Sequence, residues 1–131
     1  MTRTLTPEDV ERYHREGYLV IKDAVPQDRL RQVIAETERM CDVAQTLTSG
    51  TAILDLDPSH TPEKPRVRRI KSHHEHSDFF AEFVAEPLIM DILDPLMPSG
   101  IRVHNTKINM KSAEVGESVE WHQDWAFYPH T

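Results

Sequence analysis

Between residues 27 and 46 the side chains Leu30, Val33, Ile34, Thr37, Met40, Cys41 and Ala44 recur at helical spacing, with Arg, Gln and Glu between them. A helix with one apolar stripe has to bury that stripe against another layer. The pattern therefore demands a partner element elsewhere in the chain. Cys41 falls on or beside the stripe and reads as a small buried hydrophobe. It is the only cysteine, which excludes an internal disulfide framework and a cysteine-based zinc or iron–sulfur site.

The flanking elements follow from local signals. Thr6, Pro7 and Asp9 have the spacing of a capping box with proline at the first helical position, and Gly17 stops that helix. Tyr18 to Ile21 reads as a brief apolar strand and Asp23 to Pro26 as a turn. Thr48 to Pro65 contains Gly50, Pro58, Pro62 and Pro65 and reads as a long loop, a form often used as a substrate lid. Arg66 to Lys71 reads as a strand with a basic face. His73, His74 and His76 read as a solvated, histidine-rich loop. Ser77 caps a helix over 78–85 carrying Phe79, Phe80, Phe83 and Val84; Pro87 opens another, with Leu88, Ile89, Ile92 and Leu93 inward, ended by Pro95.

The remainder is strand-like. Over Ile101 to Lys111, Val103, Asn105, Lys107 and Asn109 share one face, and Arg102, His104, Thr106, Ile108 and Met110 share the other. Neither face is cleanly apolar. A strand lining a polar, ligand-holding cavity has this pattern, and so does a partly solvated edge strand. Ala113 to Glu117 reads as a loop and Val119 to Phe127 as extended again.

Composition narrows the function classes. A length of 131 residues fits one domain with one core. The formal charge of −7 argues against a general phosphate-backbone binder, so no nucleic-acid partner is expected. No run of 18 apolar residues exists, so no membrane span is expected. The opening Met1 to Thr6 has no apolar h-region, and a soluble cytoplasmic protein is the expectation.

Trp121-His122-Gln123-Asp124 carries the chemistry. On a strand, residues two apart point to the same side, so His122 and Asp124 can converge on one ion. They would supply two corners of a 2-His-1-carboxylate facial triad, which leaves open positions on Fe(II). Alone, His-x-Asp is a weak signal in a chain with eight histidines and 22 acidic residues, and equally describes a surface histidine near an aspartate. Context sharpens it. The opening Leu5 to Ile21, the Asp23-Ala-Val-Pro26 turn with its following helix, and above all Asn105-Thr-Lys107-Ile-Asn109-Met-Lys111 before Trp121-His-Gln-Asp124-Trp-Ala-Phe-Tyr128-Pro together resemble the phytanoyl-CoA dioxygenase family of Fe(II)/2-oxoglutarate oxygenases.

The resemblance implies an α+β fold, with N-terminal helices packed on an incomplete double-stranded β-helix of the jelly-roll, cupin-like kind, and residues 1–131 as one domain. It implies His122 and Asp124 as Fe(II) ligands, and Lys107, Asn109 and Arg69 as contacts to 2-oxoglutarate. A small organic substrate and dioxygen are the implied partners. Asp124 stands where similar halogenases carry a small residue that admits halide, which favours hydroxylation. The family's second metal histidine and its 2-oxoglutarate-binding arginine lie well downstream, whereas this chain ends seven residues after Asp124. His130 would sit about 20 Å from Asp124 on a continuous strand, and His104 lies on the strand face opposite Lys107, so neither is expected to be the third ligand. The expectation is the N-terminal part of such an oxygenase, inactive alone, with open sheet edges that invite self-association. The alternative is an inactive remnant or partner-dependent module of the same fold. A small helical binding protein with an accidental His-x-Asp is the third reading.

Overall fold

The computed structural model describes residues 4–112 and 120–124. Their element order is α1 (Pro7–Glu16), α2 (Gln27–Asp42), β1 (Leu54–Leu56), β2 (Val67–Lys71), α3 (Asp78–Phe83), α4 (Pro87–Leu93) and β3 (Lys107–Asn109), with short 3-10 turns at Val43–Thr46 and His73–Glu75. The class is mixed helix and sheet. The strands form one antiparallel sheet of order β1-β2-β3. A double-stranded β-helix is not present among the described residues. No helix among them is long and apolar enough to cross a membrane.

The N-terminal helix forms as its sequence dictates. The Thr6 hydroxyl accepts from the Asp9 amide at 3.2 Å, and Asp9 accepts from the Thr6 amide at 3.1 Å. Gly17 ends α1 in the left-handed region, at φ 80°. Tyr18 to Ile21 is not a strand: the segment is irregular, and Tyr18 and Val20 are exposed. Four apolar residues propose a strand, but pairing needs a neighbouring edge, and these have none among the described residues.

Part of the stripe on α2, Val33, Met40, Cys41 and Ala44, finds its partner in the core against the sheet, whereas Leu30 and Ile34 stay exposed. Leu54, Ile70 and Ile108 are opposite one another across the three strands and share a face. Met40, Ala44, Leu54, Val67, Ile70 and Phe80 form the core, with Val33, Cys41, Ile108 and Met110 packed at its margin. Cys41 is half-buried there, 3.9 Å from the Met110 sulfur, and burial pushes its thiol pKa up. It is a packing residue, as expected.

Three expectations need correction. The 48–65 segment is not a structureless loop, because it contains β1. Thr51 nucleates the turn, its hydroxyl accepting from the Ile53 and Leu54 amides at 3.1 and 2.9 Å. Beyond β1 the backbone is pinned by His60, whose Nδ1 accepts from the Arg66 amide while its Nε2 donates to the Leu47 carbonyl, both at 2.9 Å. The stretch from Ile101 to Lys111 is strand only at Lys107–Asn109, where it pairs with Arg69 to Lys71; backbone bonds from the Met110 amide to the Arg68 carbonyl and from the Ser72 amide to the Thr106 carbonyl, at 2.9 and 2.8 Å, close the two ends. The histidine cluster is not solvated throughout. His73 is 8% exposed with its ring 4.6 Å from that of Phe80, and burial lowers its pKa. His74 bonds the Thr106 hydroxyl at 2.6 Å.

Candidate active site

The alternation that places Leu54, Ile70 and Ile108 in the core puts their neighbours on the opposite face. Asp55, Arg69 and Asn109 are aligned across the sheet, with Lys71 opposite Lys107 beside them. Arg69 Nε donates to Asn109 Oδ1 at 2.9 Å. Lys71 Nζ donates to Asp55 Oδ1 at 2.8 Å, and Arg69 Nη1 stands 3.6 Å from Asp55 Oδ2. Arg69, Lys107 and Asn109, singled out from sequence, therefore share one basic sheet face, and Arg69 and Asn109 touch. Lys71 and Asp55 belong to that face and were not singled out. Lys71 was legible in the Arg66–Lys71 basic strand. Asp55 was hidden, because β1 lies among prolines.

His122 and Asp124 approach each other without a strand. The backbone over 120–123 is irregular, so period-two alternation is not what brings them together. His122 Nε2 lies 3.2 Å from Asp124 Oδ1, and His122 Nδ1 lies 2.7 Å from the Glu120 carbonyl oxygen. A carbonyl only accepts, so Nδ1 carries the proton. The second nitrogen then has two states. As imidazolium it pairs with the carboxylate. As neutral imidazole it turns a lone pair toward the Asp124 oxygens, an arrangement that favours a shared cation. Two donors each about 2.1 Å from one ion and at right angles stand about 3.0 Å apart, so the observed separation fits two adjacent ligands of one metal. Both side chains are exposed, and an ion reaches them without opening the fold.

Among the described residues, no three His, Cys, Asp or Glu side chains gather where one ion could be held. His130, the Ala113 to Glu117 loop, and both Val119 and residues 125–127 of the segment expected to be extended lie outside the described residues.

Comparison with known proteins matches residues 13–131 to the family model described as Phytanoyl-CoA dioxygenase (PhyH). The chain is 29% identical over 124 residues to a probable alpha-ketoglutarate-dependent hypophosphite dioxygenase of Stutzerimonas stutzeri, covering 95% of this chain and 43% of that protein. It is 28% identical over 121 residues to an ectoine dioxygenase of Stutzerimonas stutzeri (strain A1501), covering 92% and 38%. It is 27% identical over 122 residues to an L-proline trans-4-hydroxylase of Streptomyces griseoviridis, covering 91% and 41%. The chain thus spans 38 to 43% of the length of these curated relatives. With a matched segment running from the last turn of α1 through the basic sheet face and the His122–Asp124 pair, the chain belongs to the phytanoyl-CoA dioxygenase family.

Proposed function

We propose that the chain carries the first two metal ligands and part of the co-substrate face of a non-haem Fe(II)/2-oxoglutarate-dependent dioxygenase. The whole enzyme hydroxylates a small organic substrate and releases succinate and CO2. In this reading residues 1–131 are the N-terminal part of one domain whose strands complete a double-stranded β-helix. The observation that carries the reading is the His122–Asp124 pair, 3.2 Å apart with Nδ1 already committed to a carbonyl. The names of the relatives, which act on hypophosphite, ectoine and L-proline, support a small substrate.

Iron(II), when bound, supplies dioxygen activation coupled to decarboxylation of the 2-oxo acid. The chain's own residues bind and orient. The Glu120 carbonyl fixes the His122 tautomer, so that Nε2 is the ligating atom. Asp124 would give the iron a carboxylate oxygen, where similar halogenases carry a small residue. The Lys107 ammonium, the Arg69 guanidinium and the Asn109 amide offer donors to the carboxylates of 2-oxoglutarate.

Anaerobic titration with Fe(II), followed by calorimetry, tests the pair directly. A single weak equivalent is expected for the wild-type chain, which supplies two of the three protein ligands, and its binding should fall at least about 10-fold further in His122→Ala and in Asp124→Ala. Equal binding by wild type and both variants would remove the metal reading. Fe(II)-dependent conversion of 2-oxoglutarate to succinate by the whole protein checks the activity.

A further inference from the structure

We propose that Asp55 is a positioning residue that holds the basic sheet face in register for a dicarboxylate. The inference rests on the reading of Arg69, Lys107 and Asn109 as co-substrate contacts.

Asp55 lies on β1, directly opposite Arg69 on the central strand. Its Oδ1 accepts from Lys71 Nζ at 2.8 Å, and its Oδ2 stands 3.6 Å from Arg69 Nη1. Arg69 in turn donates through Nε to Asn109 Oδ1 at 2.9 Å. A continuous chain of contacts, Lys71 to Asp55 to Arg69 to Asn109, therefore crosses all three strands.

Three consequences follow. The long stems of Arg69 and Lys71 are held before any ligand arrives, which reduces the ordering cost of binding. The acceptors on the face are engaged within the sheet: both Asp55 oxygens face cations, and Asn109 Oδ1 faces Arg69. The Asn109 amide hydrogens are thereby directed away from Arg69, as donors. Finally, Arg69, Lys71 and Lys107 set against the one Asp55 carboxylate leave a surplus of two positive charges, the complement of a dianion. Asp55 adds little to stability, because its partners and its own side chain are each more than a third exposed. Its effect belongs to ligand selection.

A pure charge effect and a positioning effect predict opposite results. Calorimetry on the metal-free chain uses 2-oxoglutarate and inorganic sulfate as probes, two dianions of different shape. Wild type is expected to prefer 2-oxoglutarate. In Asp55→Asn, which keeps the shape and removes the charge, 2-oxoglutarate is expected to bind about fivefold more weakly, while sulfate binds as well or better because the face has lost a negative charge. Asp55→Glu should recover part of the preference. Side-chain NMR gives a second readout: the Arg69 Nε–H should be protected from exchange in wild type and lose protection in Asp55→Asn. If both anions bind Asp55→Asn more tightly in step, with the Arg69 signal unchanged, Asp55 is a charge and not a positioning residue. If wild type itself fails to prefer 2-oxoglutarate over sulfate, the co-substrate reading of the face falls and takes this inference with it. The first failure appears only in the variant and the second in the wild type, so the two are distinguishable.

Discussion

Glu36 is a carboxylate held ionised by its hydrogen-bond partners. It projects from α2 and accepts from Arg39 Nε at 2.8 Å and Nη2 at 2.7 Å, and from the Ser77 hydroxyl. The Arg39 hydrogen bonds, then the Ser77 hydroxyl, hold its carboxyl at about 2 against an ordinary 4.5. Ser77 is also the N-cap of α3, accepting from the Phe80 amide at 3.3 Å. One carboxylate thus joins the longest helix to the start of another. The folded state holds this group ionised at a pH where the unfolded chain takes up a proton. Its stabilisation is therefore complete above about 4.5 and is lost as pH falls from 4.5 through about 2. Thermal melts from pH 6 to pH 2 should show the stability gap between wild type and Glu36→Gln narrowing across that window. A constant gap would mean that the hydrogen bonds do not distinguish carboxylate from amide. Neither this contact nor the burial of His73 was legible in the sequence. Both depend on residues about 40 and 7 positions apart meeting across elements, Glu36 with Ser77 and His73 with Phe80. The capping box of Thr6 and Asp9 was legible, because all its partners lie within one helical turn.

At the scale of elements, α2 is tied to α3 and to the start of α4 by Arg29. Its guanidinium forms a two-pronged ion pair with Glu86, the residue capping α4, with Nε 3.1 Å from Oε2 and Nη2 on Oε1. The same group lies 4.5 Å from the centre of the Phe79 ring and 5.5 Å from that of Phe83, two rings stacked 5.9 Å apart. A planar cation suits both contacts at once; an ammonium does not. Arg29→Ala is expected to destabilise the chain by about 1–2 kcal/mol in urea unfolding, from the lost pair and the lost cation–π contact together. Arg29→Lys should retain less than half of that. Full retention by lysine would show that charge alone carries the contact. The sequence located α3 and α4 from Ser77 and Pro87, because caps are local. It located β2 within Arg66 to Lys71, but it missed β1 and proposed a strand at Tyr18 to Ile21, because a strand is defined by its partner. Leu54 to Leu56 pairs despite its proline-rich surroundings, and Tyr18 to Ile21 does not pair despite its apolar run.

For the molecule as a whole, the candidate site and the core are two sides of one sheet. Alternation along β2 sends Ile70 inward and Arg69 and Lys71 outward, so whatever fixes the core also fixes the basic face. That coupling explains why half of the site was readable: Lys107 and Asn109 are two apart on a strand, and their shared face follows from spacing alone. Asp55 was not readable, since its place opposite Arg69 depends on a strand pairing across the 57–66 turn. The core that sets this arrangement is small, and Ile70, at 0% exposure, is its fully buried large side chain. Truncating it should therefore disturb α2 and the sheet together. Ile70→Ala is expected to cost about 2–5 kcal/mol through lost transfer energy and the cavity left behind, a large share of the marginal stability of a small domain. Urea unfolding followed both by helical circular dichroism and by the side-chain NMR signal of Arg69 should show one lower midpoint shared by both probes. If the helix signal alone moved, α2 and the basic face would be independent. The packing of Ile70 would then have no bearing on the site.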